Sequence, residues 1–217
     1  MTVQAEGSRG QSRSARTVEG FALARVGPQY QDLSTFRLPA GFRGRPAWLV
    51  QLWWFVQASL FAGSPQFMYG WRRFLVRLFG MKVGRRVLLR PSVKITYPWK
   101  VSIGDYSWIG DDVVLYSLGE IEIGSNVVIS QKSYICAAGH DYRRRAFDIF
   151  ETKVTIKDQA WVAADVFVGP GITIGAGAVV AARSSVFRDL PEGMLCMGSP
   201  ARPVAPRVPG ALPAMAA

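Results

Sequence analysis

A single histidine, His140, stands in this chain of 217 residues, in the run Cys136-Ala137-Ala138-Gly139-His140-Asp141. Imidazole titrates near neutrality, so it can take a proton from an alcohol as that alcohol forms a new bond. A lone histidine is more often structural than catalytic. That alternative weakens here, because the repeat around His140 has no need of an imidazole. Asp141 is either a solvent-facing neighbour or a group that helps to orient the ring. Cys136 is a second candidate nucleophile, but it follows an inward-facing Ile135, which favours a packing role. Cys136 and Cys196 are the only cysteines, too few for a disulfide framework or a multi-cysteine metal site. Metal catalysis would need several histidines or equivalent ligands. No metal is therefore expected.

The elements that must position His140 announce themselves by period. Aliphatic residues return every six positions at Val83, Leu89 and Ile95, at Ile103, Ile109 and Leu115, and at Ile123, Ile129 and Ile135. The beat resumes at Ile156, Val162, Val168, Ile174, Val180 and Val186. Small or β-branched residues recur four places later, as at Val87, Val113, Val127, Ala160 and Ala178. A period of six fits neither a helix nor an ordinary strand. It predicts an all-β solenoid, a parallel β-helix of hexapeptide repeats with about five coils. Three hexads make one triangular turn, with the aliphatic side chains stacked inside. Gly104, Gly124 and Gly175 follow inward aliphatics, where a tight corner favours a missing Cβ. Residues 101–102 and 121–122 read as two-residue excursions at a corner. Between Ile135 and Ile156 lie fifteen residues more than the repeat allows, so a loop near 141–155 leaves the prism just after His140. A long loop on a rigid scaffold is a usual place for function. Its Arg143-Arg144-Arg145 run is either solvated or meets an anionic ligand.

The flanks are different in kind. Residues 1–29 read as a disordered arm without a secretory signal, and 205–217, mostly Pro and Ala, as a disordered tail. Residues 30–82 form a helical cap. Ala47 to Ala62 is apolar nearly all round, and a second helix covers Phe67 to Phe79. In that helix Trp71, Phe74, Leu75 and Leu78 share one face, with Arg72, Arg73 and Arg77 off it. The first helix, at about 1.5 Å per residue, is too short to cross a membrane. A helical pair here either caps the open end of the solenoid or lies in a membrane interface.

The net charge is +11, and no acid falls between Asp32 and Asp105, an interval with twelve Lys and Arg. Such a block suits a solvated face, an anionic membrane surface or nucleic acid. Nucleic acid is disfavoured because no binding module accompanies the charge.

The repeat, the His140 loop, the Trp161 coil and the closing Gly198-Ser199-Pro200-Ala201-Arg202 resemble the hexapeptide-repeat acetyltransferases of the sugar O-acetyltransferase group. Phe42-Arg43-Gly44, Gln51-Leu52-Trp53-Trp54, the run Pro91 to Lys100, Gly110-Asp111-Asp112-Val113 and Ser130-Gln131-Lys132-Ser133-Tyr134 resemble, more narrowly, the branch that serves colanic-acid-like exopolysaccharide biosynthesis. The resemblance spans about residues 31–204. It implies a left-handed helix, a homotrimer with active sites between subunits, acetyl-CoA as donor and a sugar or lipid-linked saccharide as acceptor. A cytoplasmic protein is expected, and the aromatic and basic residues of 46–79 suit peripheral contact at the inner face of the membrane. His140 matches the general base. Trp161, Ala164 and Ala182 match positions along the cofactor cleft, and Arg188 and Arg202 match basic positions near the nucleotide phosphates. Galactoside-type members carry Asn where this chain has Gly110 and Asp where it has Leu118. Asp111, Asp112 and Tyr116 are offered instead, so the acceptor differs.

The chemistry implied is direct transfer. His140 takes the proton of a sugar hydroxyl, the oxygen attacks the thioester, and backbone N–H groups stabilise the oxyanion without a covalent acetyl-enzyme. Two alternatives stay open. One is an acetyltransferase of serine, an amino-sugar or an antibiotic. The other is a non-catalytic trimeric scaffold at the membrane.

Overall fold

The computed structural model of the protein describes residues 29–208. Most of the expected arm and tail lies outside that range. From Gln31 onward the described residues form one unit. Its body is a parallel β-solenoid with three flat faces. The first face stacks Lys82–Val83, Val101–Ile103, Ile121–Ile123, Val154–Ile156 and Thr173–Ile174. The second stacks Leu88–Leu89, Trp108–Ile109, Val128–Ile129, Trp161–Val162, Val179–Val180 and Met194–Gly198, and Ala201–Pro206 closes it antiparallel. The third stacks Lys94–Ile95, Val114–Tyr116, Tyr134–Cys136, Phe167–Val168 and Ser185–Val186. Five coils are complete, and Leu190, bridged to Ile174, opens a sixth. The inward aliphatics from Leu89 to Val186 are at most 3% exposed. Each contributes about 1.5–3 kcal/mol of burial. Only Val83, on the open first edge, is less covered.

Two details of the repeat differ from the sequence reading. Residues 101–102 and 121–122 are strand, not excursions. Val101, Ile121 and Val154 pair across the first face and are each at most 3% exposed. The extra residues of those coils sit earlier, around 97–100 and 117–120. The corner glycines also act for another reason. Gly104 and Gly124 do not have positive φ; a Cβ on Gly124 would lie 2.7 Å from the backbone N of Asp158 on the next coil. Stacking distance, and not turn geometry, excludes a side chain there.

The helical cap consists of α1 (Ala47–Val56), which runs on through a π-helical turn at Gln57–Phe61, and α2 (Tyr69–Leu78). The first coil has no coil beneath it, so its outward carbonyls lack strand partners, and a buried orphan would be costly. Side chains of the cap supply the donors. Arg77 donates to the carbonyls of Val83 and Gly84, at 2.7 and 2.9 Å. Arg73 donates to Val87 at 2.9 Å, Arg72 to Leu89 at 2.6 Å and the Trp53 indole to Ile95 at 2.8 Å. Gln57 accepts the Ile95 N–H at 2.6 Å.

This requirement overturns the face expected of α2. The buried positions are Arg72, Leu75, Val76 and Phe79, while Phe74 and Leu78 are exposed. Every position has moved on by one residue, a rotation of about 100°. The carbonyl edge needs arginine donors, and that need prevails over the apolar stripe. Arg72, placed by the sequence reading among outward charges, is fully buried and also binds Ser64 Oγ and the carbonyls of Pro65 and Gln66. At the other end the chain stays ordered past 205. Ala205 pairs with Leu195, and the Arg207 guanidinium donates to the carbonyls of Gln159 and Gly177.

Candidate functional site

The residues excluded from the prism form a β-hairpin. Ala138–His140 pairs antiparallel with Ile149–Glu151, with His140 opposite Ile149. The hairpin leaves after Ala137 and rejoins the first face at Val154, so the excursion starts and ends earlier than the expected 141–155. His140 is thus held in a strand at the hairpin's outer end. Its Nδ1 lies 2.8 Å from the carbonyl oxygen of Phe147. A carbonyl only accepts, so Nδ1 carries the proton and Nε2 presents a free lone pair. The Phe147 ring stacks on the imidazole at 4.3 Å and 8°, and Phe36 closes from the amino-terminal segment at 6.0 Å. Asp141 does not orient the ring. It accepts the Arg143 N–H in its own turn. Arg144 pairs with Asp148 at 2.7 Å, and Arg143 lies over Tyr142. His140 opens onto a recess of about 530 Å³ lined by Tyr142, Arg143, Asp148 and Phe150.

The hairpin is pinned at its base by Lys100. The Lys100 ammonium reaches Glu151 of the hairpin at 2.5 Å and the Phe42 carbonyl at 2.8 Å, and also binds the Leu118 carbonyl. The Lys100 side chain is 14% exposed and that of Glu151 44%, so the ion pair is open to solvent on the Glu151 side and the two carbonyl contacts fix the ammonium.

A second recess, also of about 530 Å³, lies on the second face and its following corner. It joins Trp161, Ala164 and Ala182, with Ser130, Gln131 and Leu195. The Trp161 indole donates to Ser130 Oγ at 3.0 Å and stays 45% exposed. Ser130 and Gln131 also line an adjoining recess of about 360 Å³ with Tyr69, Arg90, Trp108 and Asp111. There Asp111 is paired with Arg90 at 2.9 Å, and the Arg90 hydrogen bond holds the Tyr69 hydroxyl below the usual phenol range. Exposed Asp112 occupies the same corner. Exposed Arg188 and Arg202 lie outside these recesses.

No family model matches the chain. WcaF of Escherichia coli K12, whose name assigns it to colanic acid biosynthesis as an acetyltransferase, is 59% identical over 178 residues, 82% of this chain and 98% of its own length. This chain belongs to the WcaF family of acetyltransferases. Among solved structures, a hexapeptide-repeat acetyltransferase of Vibrio cholerae, complexed with acetyl-coenzyme A, matches with a TM-score of 0.67 at 27% identity. The match covers 73% of this chain and 86% of that one. A maltose O-acetyltransferase of Clostridium difficile matches with a TM-score of 0.67 at 26% identity, covering 74% of this chain and 89% of that one.

For a WcaF-family chain, the single unit has a telling gap. His140 leaves the corner between the third and first faces, whereas Trp161, Ala164 and Ala182 sit where the second face turns into the third. The recess at His140 and the recess at Trp161 share no lining residue. The acceptor residues expected from sequence are likewise divided. Asp111 faces the Trp161 side. Tyr116 sits at the root of the hairpin, its ring tilted by 40° against that of Tyr134 at 5.8 Å. Cys136 is buried, its Sγ–H donates to the Ala138 carbonyl, and burial pushes its pKa up. That environment disfavours a nucleophilic thiolate. Among the described residues no group of three or more His, Cys, Asp or Glu could hold a metal ion. Sequence reasoning missed Phe147, Ser130, Gln131 and Lys100. Phe147 acts through a carbonyl, which has no sequence signature, and the other three matter only through neighbours brought close by coiling.

Proposed function

We propose that the protein transfers the acetyl group of acetyl-CoA to a hydroxyl of a sugar, free or lipid-linked, in exopolysaccharide biosynthesis of the colanic acid kind. The observation that carries this reading is His140, with Nδ1 engaged by the Phe147 carbonyl and Nε2 free. His140 Nε2 takes the hydroxyl proton as the sugar oxygen attacks the thioester carbonyl. The tetrahedral intermediate then expels the CoA thiolate, which recovers the proton from the imidazolium. Acetyl-CoA supplies the activated acyl group. The recess at Trp161, Ala164 and Ala182 suits its pantetheine arm, because the indole gives an apolar wall and the alanines leave the strand backbone open. Arg188 and Arg202 would meet the nucleotide phosphates. Asp111, Asp112 and Tyr116 would contact the acceptor.

The separation of the two residue sets within one chain supports a site built between two subunits of a closed homotrimer. His140 then serves the cofactor groove of its neighbour. The supply of acetyl-CoA argues for work in the cytoplasm. The test is incubation with acetyl-CoA and a panel of polysaccharide repeat units, serine, an amino-sugar and an aminoglycoside, with His140→Ala alongside. Acetylation of a saccharide hydroxyl that His140→Ala abolishes is expected. Transfer to serine or an amine alone would overturn the acceptor. A failure of CoA to raise the melting temperature would favour a non-catalytic scaffold.

A further inference from the structure

Two apolar stripes of the helical cap face away from the solenoid. On α1, Trp48, Leu52 and Phe55 share one side and are 66%, 43% and 68% exposed, while Val50, Trp53 and Val56 on the opposite side are buried. On α2 the rotation that turns Arg72 inward leaves Phe74 and Leu78 outward, at 54% and 67% exposure. Trp71 joins the two helices. Its indole donates to the Leu60 carbonyl at 3.0 Å and its ring stacks on Phe74 at 5.7 Å. Exposed hydrophobic residues scattered singly are ordinary, but stripes on two joined helices mark an interaction surface.

The charge around the stripes selects the partner. Exposed Arg43 and Arg45 precede α1, and exposed Lys82 and Arg86 follow α2. No acid intervenes between Asp32 and Asp105. Trp and Phe favour the boundary between head groups and acyl chains, and basic side chains are drawn to anionic leaflets. No helix among the described residues is long and apolar enough to cross a membrane, so such a surface would lie on a bilayer. We propose that the outer face of α1 and α2 docks the protein peripherally on an anionic lipid bilayer. The arginines that cap the first coil are not the anchors. The anchors are Trp48, Leu52, Phe55, Phe74 and Leu78, with the exposed cations around them. The inference is independent of acetyl transfer.

The full chain is sedimented with vesicles of phosphatidylcholine alone or mixed with phosphatidylglycerol. Binding to the mixed vesicles, weakened by salt, is expected. Changing Trp48, Leu52 and Phe55 together to Gln should weaken it by about ten-fold or more, with the melting temperature and light-scattering mass unchanged. Phe55→Gln alone gives a milder variant and should weaken binding in the same direction. Equal binding to both vesicle types, binding to neither, or undiminished binding by both variants would overturn the proposal. A fall in mass of the triple variant would also overturn it, because the face would then be an interface between copies of the chain.

Discussion

At the residue scale, the proposed function and the stability rest on single side chains with unusual partners. In the proposed mechanism the His140 ring acts on the acceptor proton and not on the donor, so His140→Ala should lower kcat by ~10²–10⁴-fold while acetyl-CoA affinity is nearly kept. Steady-state kinetics and calorimetric titration check this. Cys136→Ser should retain turnover, and no burst of CoA should appear without acceptor. A trapped acetyl adduct on Cys136 would revive the nucleophile. Arg72 is the corresponding case for stability. Its guanidinium satisfies three carbonyls and Ser64 Oγ in a fully buried site. Arg72→Met keeps the aliphatic stem but strands those acceptors, so urea unfolding should show a loss of about 2–4 kcal/mol. Arg77→Met, at an exposed site, should cost less.

At the element scale, the hairpin and the coil corners carry different demands. The hairpin is excluded from the aliphatic stack, so something outside the repeat must hold it. Lys100 does so by tying Glu151 to Phe42 and Leu118. Lys100→Met should reduce kcat more than it raises the KM for acetyl-CoA, and hydrogen exchange over 138–151 should quicken. Unchanged exchange there would remove Lys100 from the positioning of His140. At the corners the coils approach so closely that a methyl group collides with backbone. Gly124→Ala puts Cβ against Asp158 N and should cost about 1–3 kcal/mol, read as a lowered melting temperature.

At the scale of the whole molecule, His140 and the Trp161 groove belong to different edges of the prism. If neighbouring chains complete each other's sites, activity should fall on dilution below the assembly constant. Two inactive variants, His140→Ala and Trp161→Ala, should then regain activity when dissociated and reassembled together, because some junctions unite an intact His140 with an intact groove. Light scattering that shows an active monomer would overturn the shared site.

The sequence by itself determined the solenoid, because inward stacking imposes a strict period of six and every coil repeats the same local requirement. It also made His140 the candidate base, since a hexapeptide prism has no need of an imidazole at a break in its repeat. It did not reveal the left-handed backbone at Tyr106, Gln159 and Lys132, whose side chains carry no mark of positive φ, and the same conformation at Asn126, Asp112 and Asp165 carries only the general preference of Asn and Asp for it. Nor did it orient α2. Amphipathic pattern predicts burial of the most apolar stripe, whereas the open carbonyl edge of the first coil required donors, drew Arg72 into the interior and laid Arg73 and Arg77 along that edge. Only the tertiary structure decides such cases. The partner that satisfies a backbone group, as Arg72 satisfies the Leu89 carbonyl and Lys100 the carbonyls of Phe42 and Leu118, comes from elsewhere in the chain and is set by how the coils and cap pack.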